Sequence, residues 1–341
     1  MPSRTAETTA IASMLDDYEL LEVGVDREGA GRKRERFGQY VVERPAIPLT
    51  PNPSPARGEG NSPPHPRPLS REGRGEKMRV DFRYERESGD ASGRWRRGDG
   101  TPLNDPVSWN VAAGKLTFEL RLTDSGQVGL FPEQADNWRW IAAQVTRLVT
   151  DARERALEPP RVLNLFAYTG ASTLAAAAAG AEVAHVDAAR PVVGWARRNA
   201  ELSGFAAAPI RWLVDDAHAF VRRELRRGRR YAGIVLDPPS YGHGAKGRSS
   251  QGGDWRLDRD LPELLADCRR LLASAAGFLL LTCHTTGMTA PRLAQWFYER
   301  AGLQPTDTSE LALTSTLGER LPSGVCVRWS GDLSTANHRA Q

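Results

Sequence analysis

The sequence predicts an α/β protein with a doubly wound, Rossmann-like sheet, preceded by a small antiparallel β-module at the N-terminus. Three observations predict this fold. From residue 161 onward, short apolar runs alternate with amphipathic helical patterns, as a parallel sheet covered by helices on both faces requires. Several of these apolar runs end in a polar or glycine-rich turn. Before residue 125, apolar and polar side chains alternate with a period of two, which is typical of strands with one buried face.

The composition is that of a globular protein with a substantial core. The chain has 341 residues, 40% of them hydrophobic, including nine tryptophans. No apolar run approaches the roughly 18 residues of a membrane helix, and the first residues lack the basic and apolar regions of a secretion signal. The three cysteines, at positions 268, 283 and 326, form no CxxC pair. We therefore expect no membrane association, no disulfide framework, no metal site, and a cytoplasmic location.

Positive charge is concentrated in three arginine-rich segments. The formal net charge is +4, and arginines cluster at residues 31–36, 93–97 and 221–230. Such clusters permit contact with a polyanion such as RNA, although solvated or locally paired arginines produce the same pattern.

Residues 1–125 are predicted to form the small β-module. Alternating runs at 18–24 and 36–45, joined by a glycine- and arginine-rich loop, predict a hairpin, and alternation resumes at 78–87 and 107–123. An insertion at about 45–77 interrupts the module. It contains nine of the 23 prolines between Pro45 and Pro68 and has no periodic apolar face, so we expect it to be disordered.

Residues 126–333 are predicted to form the doubly wound domain, followed by a flexible tail at 334–341. The domain begins with a loop and an amphipathic helix that carries Trp138, Ile141, Val145 and Val149 on one face. The remaining elements follow in strict alternation. Strands are predicted at 161–168, 181–188, 210–217, 231–240, 277–284 and 319–331, and helices at 170–180, 190–204, 218–228, 261–274 and 290–303.

The ends of the first three strands predict a nucleoside site, because ligands of such sheets bind at the carboxyl ends of the strands. Gly170 permits a tight turn close to a ligand, and Asp187 follows 17 residues later, where an acidic side chain accepts hydrogen bonds from ribose. Asp216 is placed to accept from an adenine amine, or to cap the helix that begins at Ala217. The first turn lacks the GxGxxG spacing of a pyrophosphate loop, which disfavours a nicotinamide oxidoreductase and favours S-adenosylmethionine, a ligand without phosphates.

The fourth and fifth strands end in residues suited to methyl transfer. Asp237 is followed by Pro238 and Pro239, which fix a rigid, extended exit from the strand and present the carboxylate toward the cofactor. Tyr241 is a candidate for stacking on a base that has been flipped out of its helix. Cys283 ends the fifth strand and is either a nucleophile or a small buried residue.

Six segments in this order and spacing resemble the class I S-adenosylmethionine-dependent methyltransferases, and in particular the bacterial family that contains the 23S rRNA cytosine-C5 methyltransferases. They are GLFPEQADN, RVLNLFAYTGAS, VDAARPVVGWARRNAELSG, LVDDAHAFV, IVLDPPSY and LLTCHT. The resemblance implies an enzyme that methylates RNA, with S-adenosylmethionine as its cofactor. The residues that it implies for cofactor binding are Gln134, Asn164, Phe166, Ala167, Tyr168, Thr169, Gly170, Asp187, Asp216 and Ala217. The segment TCHTTG departs from the Ser-Cys-Ser or Thr-Cys-Ser pattern of these relatives.

Three functions follow as hypotheses. In the first, the Cys283 thiolate adds to carbon 6 of a cytosine in rRNA, Asp237 faces ring nitrogen 3, and carbon 5 is methylated. In the second, Asp237, Pro238 and Pro239 contact the amine of a base and a nitrogen is methylated without a covalent step. In the third, the chain is a catalytically silent RNA-binding protein. We interpret His284 as a loop residue rather than a proton shuttle.

Overall fold

The computed structural model describes residues 15–26, 30–46, 79–86, 93–242, 255–273 and 276–333. Most of the predicted insertion, part of the loop after residue 242, and the predicted tail lie outside these residues. The chain divides into two compact units, residues 1–135 with 312–323 and residues 136–311 with 324–341. The domain bounds inferred from the sequence stay predictions.

The first unit contains seven strands in two antiparallel-rich sheets. Their bounds are β1 Tyr18–Val25, β2 Gly31–Phe37, β3 Tyr40–Pro45, β4 Phe82–Arg86, β5 Gly93–Arg97, β6 Ser108–Ala113 and β7 Leu116–Arg121. Strands β1 to β5 form one sheet in chain order, and β6 pairs with β7 in a separate hairpin. The prediction of a small N-terminal β-module with antiparallel pairing is confirmed.

Strand β2 was predicted as a loop, and that prediction is wrong. Its arginines and lysine suggested a solvated turn, but Arg32 and Lys33 are buried and the Glu35 side chain is fully so. Opposite charges make this burial possible, since Arg32 lies 3.5 Å from Glu43 on the neighbouring strand β3, and Lys33 lies 3.0 Å from Glu35 on β2 itself. A buried charge is tolerated only when it is paired in this way. Most of the cluster at residues 31–36 therefore belongs to paired internal structure, and Arg36 is its exposed arginine.

The second unit contains the α-helices, apart from the first residue of α1, and most of strands β8 to β16. The helices are α1 Ala135–Glu154, α2 Ala171–Ala178, α3 Arg190–Leu202, α4 Ala217–Arg226, α5 Leu257–Leu271 and α6 Ala290–Ala301. The strands are β8 Arg161–Leu165, β9 Glu182–Asp187, β10 Ile210–Val214, β11 Gly233–Leu236, β12 Tyr241–Gly242, β13 Trp255–Arg256, β14 Ala276–Cys283, β15 Asp307–Thr314 and β16 Arg320–Asp332. Residues 312–323, which close β15 and open β16, belong to the first unit.

Seven strands form the main sheet, in the order β10-β9-β8-β11-β14-β16-β15. The first five are parallel, and β16 runs antiparallel to β14. The order reverses between β8 and β11, so the carboxyl ends of these two strands flank a crevice where ligands of such sheets bind. The predicted doubly wound, Rossmann-like sheet is confirmed.

Apolar layers cover both faces of the sheet. Leu279, Leu281 and Cys283 of β14 pack on one face with residues of α4, α5 and α6. Phe278 and Leu280 pack on the opposite face with residues of α1 and α2. This alternation of successive side chains decides which residues at the strand ends can meet. Among the described residues, no helix is both long and apolar enough to cross a bilayer.

Candidate active site

The turn after β8 is built from residues in left-handed backbone conformations. Phe166 has φ 56°, Tyr168 has φ 49° and Gly170 has φ 92°. Such angles are uncommon for side chains other than glycine, cost of order 1 kcal/mol each, and cluster at ligand sites. Gly170 also meets a packing limit, because a Cβ at this position would lie 3.1 Å from the Cβ of Ala196 on α3. Both the left-handed backbone angle and the close packing of α3 therefore favour a glycine at position 170.

Neighbouring elements hold this turn in place through its backbone. The Tyr168 amide donates to Oδ2 of Asp187 at 2.9 Å, and the Ala167 amide donates to the carbonyl of Val186 at 3.1 Å. The Asn199 side chain on α3 donates to the Thr169 carbonyl at 2.9 Å. These bonds stabilise backbone angles that the side chains of Phe166 and Tyr168 disfavour.

Asp187 is the last residue of β9 and links the turn to the start of α3. Its Oδ1 accepts from the Ala189 amide at 2.9 Å while Oδ2 accepts from Tyr168. Burial raises the pKa of this carboxyl above its ordinary value, although the amide bonds favour the ionised form. A carboxylate has about four acceptor positions, so two backbone bonds leave capacity for further donors.

Asp216 caps a helix, which is one of the two roles predicted for it from the sequence. Its Oδ1 accepts from the Ala219 amide at 2.9 Å and caps α4, and Ala217 is the first residue of that helix. Capping occupies one carboxylate oxygen, so the predicted contact with adenine stays a prediction. Gln134 is buried in a short helical turn of the first unit, Pro132–Gln134, and its role also stays a prediction.

Asn164 lies beneath the turn and begins a buried polar chain. Its side-chain amide donates to the Thr173 hydroxyl at 2.9 Å, and that hydroxyl lies 2.9 Å from Nδ1 of His185. The Thr173 hydroxyl thus links the Asn164 amide to Nδ1 of His185, and the second ring nitrogen of His185 is Nε2. That nitrogen is buried and makes no hydrogen bond among the described residues. Burial lowers the pKa of His185 to about 3.

The buried His185 predicts a loss of stability in mild acid. The unfolded chain binds a proton at a pKa of about 6.5 and the folded chain at about 3, so the unfolded state gains protons first as the pH falls. Between pH 7 and pH 5 we expect His185 to lower the free energy of unfolding by about 2 kcal/mol. Denaturant unfolding at the two pH values measures this. The His185→Asn variant keeps an acceptor for Thr173 but does not titrate. Its loss of unfolding free energy from pH 7 to pH 5 should therefore be smaller than that of the parent by about 2 kcal/mol. An equal loss in the variant and the parent would contradict the prediction.

Asp237 stands at the carboxyl end of β11, on the other side of the crevice. Its Oδ1 accepts from the Thr282 hydroxyl at 2.5 Å and lies 3.3 Å from Nε2 of His284. Burial alone would raise the pKa of this carboxyl, but His284 and the two hydrogen bonds outweigh it and hold the pKa below its ordinary value. Asp237 is therefore an ionised acceptor.

Cys283 lies on the opposite face of the sheet from this group. Residues Leu281 and Leu236 are paired across β14 and β11, which aligns Thr282 with Asp237 and turns Cys283 into the apolar layer. The side chain is 1% exposed, and burial raises the pKa of its thiol. Thr282 and His284 were not predicted as site residues. The period-two alternation at the end of β14 is the signal that identifies Thr282.

An aromatic cluster borders the same edge. The Trp255 indole donates to the carbonyl of Pro239 at 2.7 Å, and its ring lies 4.9 Å from that of Phe166 and 5.8 Å from that of His218. Trp255 thus connects the exit after Asp237 with the cofactor turn, a contact between segments that the sequence separates by about ninety residues. The side chain of Tyr241 lies outside the described residues, and its stacking role stays a prediction.

Comparison with known proteins identifies the class. A family model described as S-adenosylmethionine-dependent methyltransferase matches residues 68–302, more than half of the chain. The chain belongs to this family. It is similar to the crystal structure of the SAM-dependent methyltransferase from Agrobacterium tumefaciens, with 32% identity, a TM-score of 0.72, and coverage of 93% of this chain and 91% of that one.

Two relatives carry names that refer to ribosomal RNA. Ribosomal RNA large subunit methyltransferase I of Aeromonas hydrophila subsp. hydrophila is 30% identical over 67% of this chain and 54% of its own length. Ribosomal RNA large subunit methyltransferase K/L of Magnetococcus marinus is 33% identical over 48% of this chain and 20% of its own length. The chain thus spans about half of the first relative and a fifth of the second.

The residues at the cofactor side fit S-adenosylmethionine. The ribose hydroxyls of the cofactor are donors, and Asp187 offers a partly exposed carboxylate with remaining acceptor capacity at the strand end. The turn from Phe166 to Gly170 supplies backbone groups beside it. No cluster of three or more metal-ligating side chains occurs among the described residues.

Proposed function

We propose that the protein methylates a nitrogen atom of a base in large-subunit ribosomal RNA, in the cytoplasm. The names of the two rRNA-methylating relatives support the substrate class. The observation that supports nitrogen as the acceptor atom is the ionised Asp237 carboxylate, held by Thr282 and His284 at the carboxyl edge of the sheet.

In this mechanism the chain binds and orients the base. S-adenosylmethionine, when bound, supplies a methyl group carried on a positively charged sulfur. Asp237 accepts an N–H of the base, which aligns the nitrogen. The nitrogen would bond to the methyl carbon as the carbon–sulfur bond breaks, and the N–H proton would pass to the Asp237 carboxylate. The thiol-addition route would require Asp237 to serve as an acid at ring nitrogen 3, and an ionised carboxylate has no proton to donate.

Cytosine carbon 5, with Cys283 as nucleophile, is the second candidate. Its support is that Cys283 ends β14, the strand next to β11, so that a local rearrangement of the strand end would bring the thiol toward the edge. Its burial among apolar side chains and its raised pKa favour the nitrogen reaction instead.

Nucleoside mass spectrometry tests the proposal. Purified protein, large-subunit rRNA and isotopically labelled S-adenosylmethionine should yield an N-methylated nucleoside. A product of 5-methylcytidine would overturn the nitrogen assignment in favour of the second candidate. The absence of label in any RNA, together with retained RNA binding, would establish the silent RNA-binding protein.

Cys283→Ala separates the two reactions independently. We expect the variant to keep the parental rate of methyl transfer, because the thiol takes no part in nitrogen methylation. Cys268→Ala, which removes a buried thiol from α5, is the matched control for loss of core volume. A loss of activity confined to Cys283→Ala would restore the covalent mechanism.

A further inference from the structure

A charged cleft lies at the amino ends of the parallel strands, on the edge opposite the proposed methyl-transfer site. It encloses about 710 Å³ and is lined at the starts of β8, β9 and β10 and by the segment after α4. We call it the amino-edge cleft. Four arginines and two glutamates line it, which leaves a formal charge of +2; they are Arg161, Arg211, Arg227, Arg229, Glu182 and Glu224.

A buried glutamate organises part of this cleft. The Glu224 side chain is 1% exposed, and its Oε1 lies 3.0 Å from the Arg227 guanidinium. Its Oε2 accepts from the Tyr231 hydroxyl at 2.7 Å and lies 3.9 Å from Arg211. The buried carboxylate of Glu224 thus holds both arginines in position, while the side chains of Arg211 and Arg227 remain more than half exposed. Preorganised guanidiniums lose less entropy when they bind a further anion.

The exposed arginines of the cleft favour an extended polyanion, although apolar side chains, Val183 and Ile210 among them, also line it. Sites for small ligands enclose most of the ligand surface with apolar and aromatic side chains. Here the arginines are exposed, and Arg229 projects from the turn that follows α4. Exposed guanidiniums at a helix end contact phosphates without base specificity.

We propose that the amino-edge cleft binds backbone phosphates of the RNA substrate, as a contact separate from the methyl-transfer site. This inference rests on the proposed function. The first and last residues of β8, Arg161 and Leu165, are about 13 Å apart along the strand. An RNA segment must therefore extend around the domain to reach both edges, so the cleft selects a folded or long RNA.

The salt dependence of RNA binding tests this proposal. We expect the double variant Arg227→Gln/Arg229→Gln to bind large-subunit rRNA roughly 10-fold more weakly at 0.15 M salt. In a plot of the logarithm of the binding constant against the logarithm of the salt concentration, its slope should be shallower by about 1.5. Arg197→Gln/Arg198→Gln removes the same charge from the exposed face of α3 and should match the parent. Because Arg227 pairs with buried Glu224, Arg229→Glu provides a second variant that leaves this pair intact, and it should weaken binding in the same direction.

Three outcomes overturn two different statements, namely the cleft proposal and the proposed function. If the parent protein binds and methylates rRNA but Arg229→Glu keeps the parental affinity and slope, the cleft is not an RNA contact. If the two double variants weaken binding equally, the effect is one of net charge, and the cleft proposal also fails. If the parent neither binds nor methylates RNA, the proposed function itself fails.

Discussion

We expect Asp237→Asn to lower the rate of methyl transfer by roughly 100- to 1000-fold, the range typical when one preorganised contact to the reacting group is removed. Asparagine has nearly the same volume, but it carries no charge and presents an amide that donates as well as accepts. It therefore aligns the base N–H poorly, and it also disturbs the bonds to Thr282 and His284. Single-turnover assays with rRNA and saturating S-adenosylmethionine measure the rate.

Asp215→Asn is the matched control for this substitution. Asp215 follows β10 at the same edge of the sheet, and its carboxylate pairs with Arg223 on α4. We expect its rate to equal that of the parent. If the Asp237→Asn variant kept the parental rate of methyl transfer, Asp237 would have no role in the reaction. If both variants lost the same rate, the cause would be a general disturbance of the carboxyl edge of the sheet.

We expect Asp187→Asn to weaken S-adenosylmethionine binding by roughly 100-fold, which corresponds to about 2.7 kcal/mol. The carboxylate accepts from the amides of Tyr168 and Ala189, and an asparagine must direct its NH₂ group at one of these donors or at the ribose. The left-handed Tyr168 loses support, so the turn also becomes less well ordered. Calorimetric titration of the protein with S-adenosylmethionine measures the dissociation constant.

The contrast between affinity and rate distinguishes the two aspartates. Asp187→Asn should recover most of its methyl-transfer rate at saturating cofactor, whereas Asp237→Asn should not recover. A dissociation constant within threefold of the parent in Asp187→Asn would contradict the assignment of this carboxylate to the cofactor.

The order of elements could be predicted because it depends on local pattern. Buried parallel strands appear as apolar runs, and the helices between them show a 3.6-residue period, so the five parallel strands β8, β9, β10, β11 and β14 are found near their predicted positions. The short strands β12 and β13 were not predicted. Strand β2 could not be found in this way. Its buried charges are favourable because β3 lies beside it and supplies Glu43 for Arg32 and Arg44 for Glu35, and a linear pattern does not show which strands are neighbours.

The site could be predicted in part. Asp187 and Asp237 are proposed as site residues because they follow apolar runs, and the structure places both at the carboxyl edge of the sheet. His284 and Trp255 were not predicted, because each reaches the site through contacts made only after the chain has folded. Cys283 is the clearest example of what the sequence does not show. Its position at the end of β14 follows from the apolar run, but the direction of its side chain depends on how β14 pairs with its neighbours.

The sequence by itself determined the class of fold and the nature of the cofactor, and it predicted a site at the carboxyl edge of the sheet. Those features depend on the order of strands, helices and strand-end residues along the chain. Only the tertiary structure decided that Asp237 is held ionised by Thr282 and His284 while Cys283 packs into the apolar layer. The physical reason is strand register: pairing β14 with β11 aligns Thr282 with Asp237, and successive side chains of one strand point to opposite faces.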